Sequence, residues 1–184
     1  MGTNDHFKVI VTATALPGDI KPQPRGLKKA EPATDAAPGQ QCPQQAPSPE
    51  EQREWNRSLH DAAIAGETDR VRFLLGKGAA VDARDADGMT PLMKAAKEGH
   101  HGTVEFLVRS GADPNAKDLD CKANPLIFAI QSGSIESVMA LVDNGADVNA
   151  EVGGWTPLDT AQFHEFSKKG HSGIADFLQK RGAR

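Results

Sequence analysis

Glycine recurs along residues 58–184 with a period close to 33 residues. The members of this pattern are two series, Gly66, Gly99 and Gly133 together with Gly78, Gly111 and Gly145. Apolar residues at helical spacing stand before these glycines, and glycine commonly ends a helix in a left-handed conformation. Helices this short cannot bury an apolar stripe alone, so each unit requires neighbouring copies. The period therefore predicts a stack of helical pairs.

The stretch 85–117 shows how one unit is built. Thr90 is placed to cap a first helix with its hydroxyl, and Pro91 suits the first helical position because it lacks an N–H. The expected buried face of this helix consists of Leu92, Ala95 and Ala96. A second helix carries an apolar stripe of Val104, Leu107 and Val108. Gly111 ends that helix, and the turn residues 113–115 follow.

Four stretches, TPLMKAAKEGH, GADPNAKD, GADVNAE and GGWTPLDTA, carry a resemblance to a known family. Together with the period they make residues 58–184 similar to an ankyrin-repeat domain of four repeats. The repeats are 58–84, 85–117, 118–151 and 152–184. The resemblance implies an all-α solenoid of paired antiparallel helices with β-turn loops. It also implies a protein–protein interaction module that is not an enzyme and holds no cofactor.

Repeats three and four depart from this pattern. In repeat three Lys122 stands where the turn glycine is expected, one residue is added, and Asn124 replaces the capping threonine. Lysine adopts positive φ less cheaply than glycine, so we expect a loop of different shape. Repeat four gains five residues around 163–167, which either lengthen its first helix by more than a turn or form a loop. A closing helix is expected over 172–181, with Ala175 and Leu178 facing inward.

Residues 1–57 have a different composition and hold eight of the twelve prolines. Residues 1–47 are predicted to be a disordered arm rich in Pro, Ala and Gln. Within it, the β-branched segment 7–16 is either extended chain or a strand that pairs with a partner's sheet. Ser48, Pro49 and Glu51 form a helix-start pattern, so 48–57 is predicted to be a capping helix whose Trp55 covers the end of the stack.

Charge and hydropathy exclude some functions. The formal net charge of −4 argues against nucleic acid, and no apolar run approaches the roughly 18 residues of a membrane span. Lys8 and Thr12 interrupt the segment 7–16, which is therefore a poor signal-peptide core. Two cysteines, Cys42 and Cys121, favour a reducing compartment. We expect a cytoplasmic monomer; a periplasmic or secreted protein is the alternative if a signal sequence is missing from this chain.

The resemblance implies that loop tips and the inner faces of the first helices form a concave groove for a protein partner. Carried over by position, the contact residues are Asp87, Met89, Lys97 and Glu98 in repeat two, Leu119, Asp120, Cys121, Ala123 and Gln131 in repeat three, and Trp155 and Phe163 in repeat four. Met89 and Trp155 occupy equivalent positions and are both expected to point outward. Trp155 alternatively packs against Phe163 or Phe166. Five carboxylates are expected to rim the groove: Asp85, Asp87, Asp118, Asp120 and Glu151.

Two alternatives to a general binding module remain open. One, from analogy, is an inhibitor or immunity-type protein that blocks one enzyme. The other is a metal- or redox-sensing accessory protein using His100, His101, His171 and Cys121. Zinc needs about four ligands, and the chain has neither a cysteine pair nor an HxxxH motif. We therefore expect His100 and His171 to face solvent at the start of a second helix, and Cys121 to be a surface loop thiol.

Overall fold

Helices dominate the part of the chain that the computed structural model describes, residues 47–167 and 173–184. They are α1 (Pro49–Ala65), α2 (Thr68–Lys77), α3 (Pro91–Glu98), α4 (His101–Arg109), α5 (Pro125–Ser132), α6 (Ile135–Asp143), α7 (Pro157–Ser167) and α8 (Ile174–Lys180). None of these described helices is long and apolar enough to cross a bilayer. Several predicted features lie outside the described residues: the segment 7–16, the rest of the arm to residue 46 with Cys42, and His171 with Ser172.

The first helix begins where its sequence predicts. The Ser48 hydroxyl accepts the Glu51 N–H at 3.2 Å, and the Glu51 carboxylate accepts the Ser48 N–H at 2.9 Å. Pro49 follows in the first turn, which completes a capping box. α1 then runs for 17 residues without a break. It thus includes both the predicted capping segment and the first helix of repeat one, and Trp55 is partly buried against the core.

Two residues join the helices within each of the first three pairs, so the two helices of a pair run antiparallel. We call the first helix of each pair the inner helix and the second the outer helix. The glycine that ends the inner helix has φ of 71° at Gly66, 75° at Gly99 and 78° at Gly133. Inner helices α1, α3, α5 and α7 pack in succession, and outer helices α2, α4 and α6 do the same behind them. The predicted all-α solenoid of helical pairs is confirmed.

Leucines at equivalent positions form the centre of the core. Leu59, Leu92 and Leu126 of the inner helices are fully buried. The outer helices contribute Leu74, Leu107, Leu141 and Leu178, which are 0–6% exposed and belong to the same continuous cluster. The core residues predicted for repeat two and for the closing helix are all buried, whereas Leu75 of repeat one is only partly buried.

The motif GADxN supplies a hydrogen bond between successive repeats. The Asn115 side chain accepts the Asp147 N–H at 2.8 Å, and Asn149 accepts the Arg184 N–H at 2.9 Å. Asp82 occupies the same position in repeat one and accepts the Asp113 N–H at 3.1 Å. Asn56 of α1 begins the series by accepting the Ala80 N–H at 2.9 Å. Each bond contributes about 0.5–1.5 kcal/mol and helps to set the spacing of the stack.

The sequence changes in repeats three and four alter the cap of α5 and the length of α7 but keep the helical pairs. The Asn124 side chain caps α5 in place of threonine, by accepting the Ile127 N–H at 2.9 Å. α7 has 11 residues where α3 and α5 have 8, so the described part of the first helix in repeat four is three residues longer. Ala175 and Leu178 of α8 face inward, as predicted.

His100 is only partly exposed, whereas the sequence predicts a histidine that simply faces solvent. Its ring Nε2 lies 2.9 Å from the Ile64 carbonyl oxygen of the preceding repeat, and the ring packs over Gly66. A Cβ added to Gly66 would be 2.7 Å from the ring carbon Cγ. The ring reaches this position because the glycine that ends α1 has no side chain. His100 therefore joins repeats one and two.

Gly66→Ala is expected to lower the free energy of unfolding by more than about 1 kcal/mol. The new Cβ would be strained at positive φ and would displace the His100 ring. The matched control is Gly76→Ala in α2, where an added Cβ meets no described atom within 4 Å. This change should raise stability by about 0.5–1 kcal/mol because alanine favours the helix. Urea denaturation followed by circular dichroism measures both values, and equal effects would contradict the packing.

Candidate functional site

The predicted contact residues lie on the loops that precede the inner helices and on those helices themselves. Most of them are exposed: Asp87, Lys97, Glu98, Leu119, Asp120, Cys121, Gln131, Trp155 and Phe163. Met89 and Ala123 are buried, at 6% and 5% exposure. The surface available to a partner is therefore narrower than the sequence predicts.

Met89 does not point outward, contrary to expectation. It forms a small cluster with Met93 and Ala116, against which Phe128 packs. Methionine is unbranched and fills irregular gaps between packed elements. The Asp85 carboxylate also accepts the Met89 N–H at 2.8 Å and draws the loop toward the helices. Of the residues at this repeat position, only Trp155 is exposed.

The loop of repeat three keeps the left-handed turn despite its lysine. Lys122 has φ of 61°, close to the 74° of Gly88 at the equivalent position. The extra residue lies between Asp118 and Ala123. The buried Asp118 carboxylate closes this loop by accepting the Ala123 N–H at 2.9 Å. The loop is thus longer, as expected, but Lys122 still has positive φ.

Leu119 of the same loop lies over the loop of repeat two. Its N–H donates to the Asp87 carbonyl at 3.3 Å, and its side chain approaches Gly88 so closely that an added Cβ would be 2.3 Å from Leu119 Cγ. The leucine is nevertheless 58% exposed. It therefore presents an apolar surface at the junction of the two loops.

Trp155 and Phe163 form an aromatic pair in repeat four. Their ring centroids are 5.6 Å apart and their planes meet at 81°, an edge-to-face arrangement. Trp155 is held by a tight turn in which its N–H donates to the Val152 carbonyl at 3.0 Å and its carbonyl accepts the Val152 N–H at 2.9 Å. Both predicted alternatives hold in part, because Trp155 contacts Phe163 yet remains 49% exposed and Phe163 56% exposed.

A cleft of about 310 Å³ opens beside this aromatic pair. Ile127 and Gln131 of α5 line one side, and Thr160 and His164 of α7 line the other. The cleft thus lies between two inner helices and is bordered by the aromatic residues of the repeat-four loop. We call it the C-terminal cleft.

A second cleft, of about 490 Å³, lies beside α1 and was not identified from the sequence. One wall is the face of α1 formed by Arg53, Asn56, Arg57, His60, Asp61 and Ile64. The other wall is the loop Arg84–Ala86 with Lys94 of α3. The helical spacing of the six α1 residues is visible in the sequence, but the loop that faces them is positioned only by the fold. We call this the N-terminal cleft.

Two of the five carboxylates expected at the groove rim serve the fold instead. Asp118 is buried, and Asp85 forms a 2.8 Å ion pair with Lys94. Burial raises the pKa of the Asp85 carboxyl, but Lys94 and the N–H groups of Met89 and Asp87 outweigh it and hold the pKa below its usual value. Asp87, Asp120 and Glu151 remain exposed. The acidic rim is therefore smaller than predicted.

His60 is the buried titratable group of the N-terminal cleft. Burial is the largest influence and lowers the pKa of the imidazole below its ordinary value; smaller effects come from Asp85 and Asp61, which raise it, and Lys94, which lowers it. The folded chain therefore favours the neutral ring.

Stability is expected to fall as the pH drops below about 6.5, because the unfolded chain then takes up a proton at His60 that the folded chain does not. Urea titrations at about pH 7.5 and about pH 5.5 measure the fall. In His60→Gln the fall should be smaller. In the control His101→Gln, which changes an exposed ring, the fall in stability should match that of the wild type. An unchanged fall in His60→Gln would show that His60 is not responsible.

No group of three or more His, Cys, Asp or Glu side chains suited to a metal ion comes together in residues 47–167 and 173–184. His100 is hydrogen-bonded to Ile64, and His101 is exposed on α4. Cys121 is exposed on its loop, as predicted.

Comparison with known proteins agrees with this architecture. A family model described as ankyrin repeats (3 copies) matches residues 42–118 and 117–184. The ankyrin repeat domain-containing protein SAT10 of Stachybotrys chartarum is 40% identical over 107 residues, which are 58% of this chain and 6% of SAT10. The transient receptor potential cation channel subfamily A member 1 homolog of Caenorhabditis elegans is 37% identical over 108 residues, 58% of this chain and 9% of the channel protein.

A third relative, palmitoyltransferase Hip14 of Drosophila melanogaster, is 44% identical over 63 residues, 34% of this chain and 10% of its own length. This chain thus spans no more than 10% of any of these three relatives. Ankyrin repeats are generally protein–protein interaction modules. Because the family model matches most of the sequence and the described helices follow the same repeat, this chain belongs to the ankyrin-repeat family.

Proposed function

We propose that this chain is a non-enzymatic module that binds a protein partner on the concave side of the stack. Hydrogen bonds between successive repeats and within the loops hold this surface in one arrangement. A preorganised surface loses little conformational entropy on binding, which favours affinity. The formal net charge of −4 supports a protein partner over nucleic acid.

The observation that carries the proposal is the half-exposed aromatic pair Trp155 and Phe163 beside the C-terminal cleft. Tryptophan is among the residues most enriched at binding hot spots. The edge contact with Phe163 holds the indole in place, and Leu119 adds an exposed apolar side chain on the neighbouring repeat. An apolar side chain of the partner would enter the cleft and contact Trp155.

The proposed contact surface keeps the exposed members of the predicted set. They are Asp87, Lys97, Glu98, Leu119, Asp120, Cys121, Gln131, Trp155 and Phe163. Met89 and Ala123 support the loops from beneath and do not contact the partner directly.

Affinity capture with matched baits tests this function. The full chain, its Trp155→Ala variant and its Phe73→Ala variant are each immobilised and exposed to the same extract. Phe73 is 62% exposed on α2, an outer helix, and is the control for losing an exposed aromatic side chain. We expect a stoichiometric protein partner that the wild type and Phe73→Ala retain and Trp155→Ala loses. Equal capture by all three baits would contradict the proposed surface.

A further inference from the structure

The N-terminal cleft is a basic site on an acidic chain. Four cationic side chains line it, Arg53, Arg57, Arg84 and Lys94, against the two carboxylates of Asp61 and Asp85. The formal charge of the lining is therefore +2, whereas the whole chain carries −4. Such a local excess attracts anionic groups.

Two of these cations are already engaged. Lys94 pairs with Asp85 at 2.8 Å, and Arg84 donates to the carbonyl oxygens of Gly88 at 2.8 Å and Lys117 at 2.7 Å. The side chains of Arg53 and Arg57 form no ion pair or hydrogen bond with any described residue. They lie four residues apart on one face of α1, where like charges repel each other. An anion between them would relieve this repulsion.

His60 provides an independent observation at the same place. It is 7% exposed and lines the cleft, and its buried Nδ1 has no hydrogen-bond partner among the described residues. Buried polar groups in proteins are normally paired, so an unpaired one indicates a missing partner or a strained site. Asn56 on the same wall is fixed by the Ala80 N–H, whose hydrogen bond it accepts at 2.9 Å.

We propose that the N-terminal cleft binds an acidic segment of the protein partner, with Arg53 and Arg57 holding its carboxylates. Guanidinium groups bind carboxylates through paired, charge-assisted hydrogen bonds. Neutral His60 lines the same wall and offers its unpaired ring nitrogen to a polar group of the segment. The inference rests on the proposed function, because it names the chemistry of the partner.

The length of the cleft favours a peptide over a small anion. Ile64, 43% exposed, continues the α1 wall beyond the arginines. Ile64 lies seven positions after Arg57, a rise of roughly 10 Å along the helix. An extended peptide covers this distance in three to four residues, at about 3.3 Å each. The segment therefore carries its acidic residues three to four positions from an apolar residue that contacts Ile64.

Chemical-shift titration of the ¹⁵N-labelled full chain tests this with defined probes. The main probe is the peptide acetyl-Asp-Glu-Gly-Gly-Leu-amide; the comparison probes replace its acids with Asn and Gln, or its Leu with Ala. We expect the acidic peptide to shift the signals of Arg53, Arg57 and Ile64. The neutral peptide should bind at least about tenfold more weakly, and the Leu-to-Ala peptide less tightly than the parent. Equal affinities for the acidic and neutral peptides would overturn the proposal.

Two double variants distinguish binding in the cleft from attraction by the net charge of the chain. Arg53→Gln with Arg57→Gln should weaken binding of the acidic peptide at least about tenfold. The control, Arg70→Gln with Arg72→Gln on α2, makes the same change in net charge and should alter affinity less than about twofold. Asp61→Asn removes a repelling carboxylate from the cleft and should strengthen binding. Equal losses in the two double variants would mean that only net charge matters.

Two further measurements complete the test. Inorganic phosphate at the same concentration as the peptide should change the chemical shifts of the cleft residues less than the peptide does. Equal saturation of the cleft by phosphate would identify a general anion site and reject a peptide site. Trp155→Ala should leave binding of the acidic peptide unchanged, because Trp155 borders the other cleft. If the peptide fails to bind while the captured partner still depends on Trp155, the basic-cleft inference falls and the proposed function stands.

Discussion

Leu107→Ala is expected to lower the free energy of unfolding by about 2–5 kcal/mol. Leu107 is fully buried in α4, which packs against α3 within its own repeat and against α6 of the next. Truncation removes buried apolar surface and leaves a cavity that the surrounding helices fill only in part. Because repeats contact only their neighbours, the loss should fall mainly on the junction of repeats two and three. Urea denaturation measures the total loss in free energy of unfolding, and hydrogen exchange shows which helices lose stability.

The control is Leu119→Ala, which makes the same chemical change at a leucine that is 58% exposed. Its effect should stay within about 0.5 kcal/mol, as for most surface substitutions. In Leu107→Ala, amide exchange should accelerate most in α3 to α6. A small and uniform acceleration along the whole chain would count against a stack stabilised by contacts between neighbouring repeats.

Trp155→Ala is expected to weaken binding of the captured partner by about 2 kcal/mol or more, the usual threshold for a hot-spot residue. The indole is half exposed, so its loss should cost the fold little. The change should appear mainly in the dissociation rate, since apolar contacts form after the first encounter. Titration calorimetry with the purified partner gives the affinity, and surface plasmon resonance separates the two rates.

The exposed carboxylates at Asp87, Asp120 and Glu151 should instead affect the association rate and its dependence on salt.

Phe73→Ala is the control for Trp155→Ala and should leave the association and dissociation rates unchanged. Suppose Trp155→Ala unfolds repeat four while the partner still binds through repeats one to three. Trp155 would then be a packing residue against Phe163, and the contact surface would end at repeat three.

Local structure was predictable because its causes lie within a few residues of each other. Ser48 caps α1, Thr90 caps α3, and Gly99 ends α3 because hydroxyl caps and left-handed glycines act on the adjacent turn. The burial of Leu107 was predictable for a related reason. An apolar stripe at helical spacing must face the neighbouring repeat wherever the period continues.

Residues at the loops were less predictable because their neighbours come from other repeats. Met89 and Trp155 stand at the same position in the sequence pattern. Met89 is buried because it packs with Met93, Ala116 and Phe128, whereas Trp155 lies against Phe163 at the last loop and stays half exposed. Burial depends on the volume left by distant residues, which the repeat pattern does not specify.

The sequence by itself determined the helical pairs, their caps, the repeat and the leucine core of this protein. Only the tertiary structure decided which loop residues reach solvent, that His100 bonds to Ile64, and that Arg53 and Arg57 border a cleft. The physical reason is the range of the interactions. Helix periodicity and capping act within one or two turns, whereas a cleft forms where separate segments, here α1 and the loop Arg84–Ala86, are brought together by packing of the whole stack.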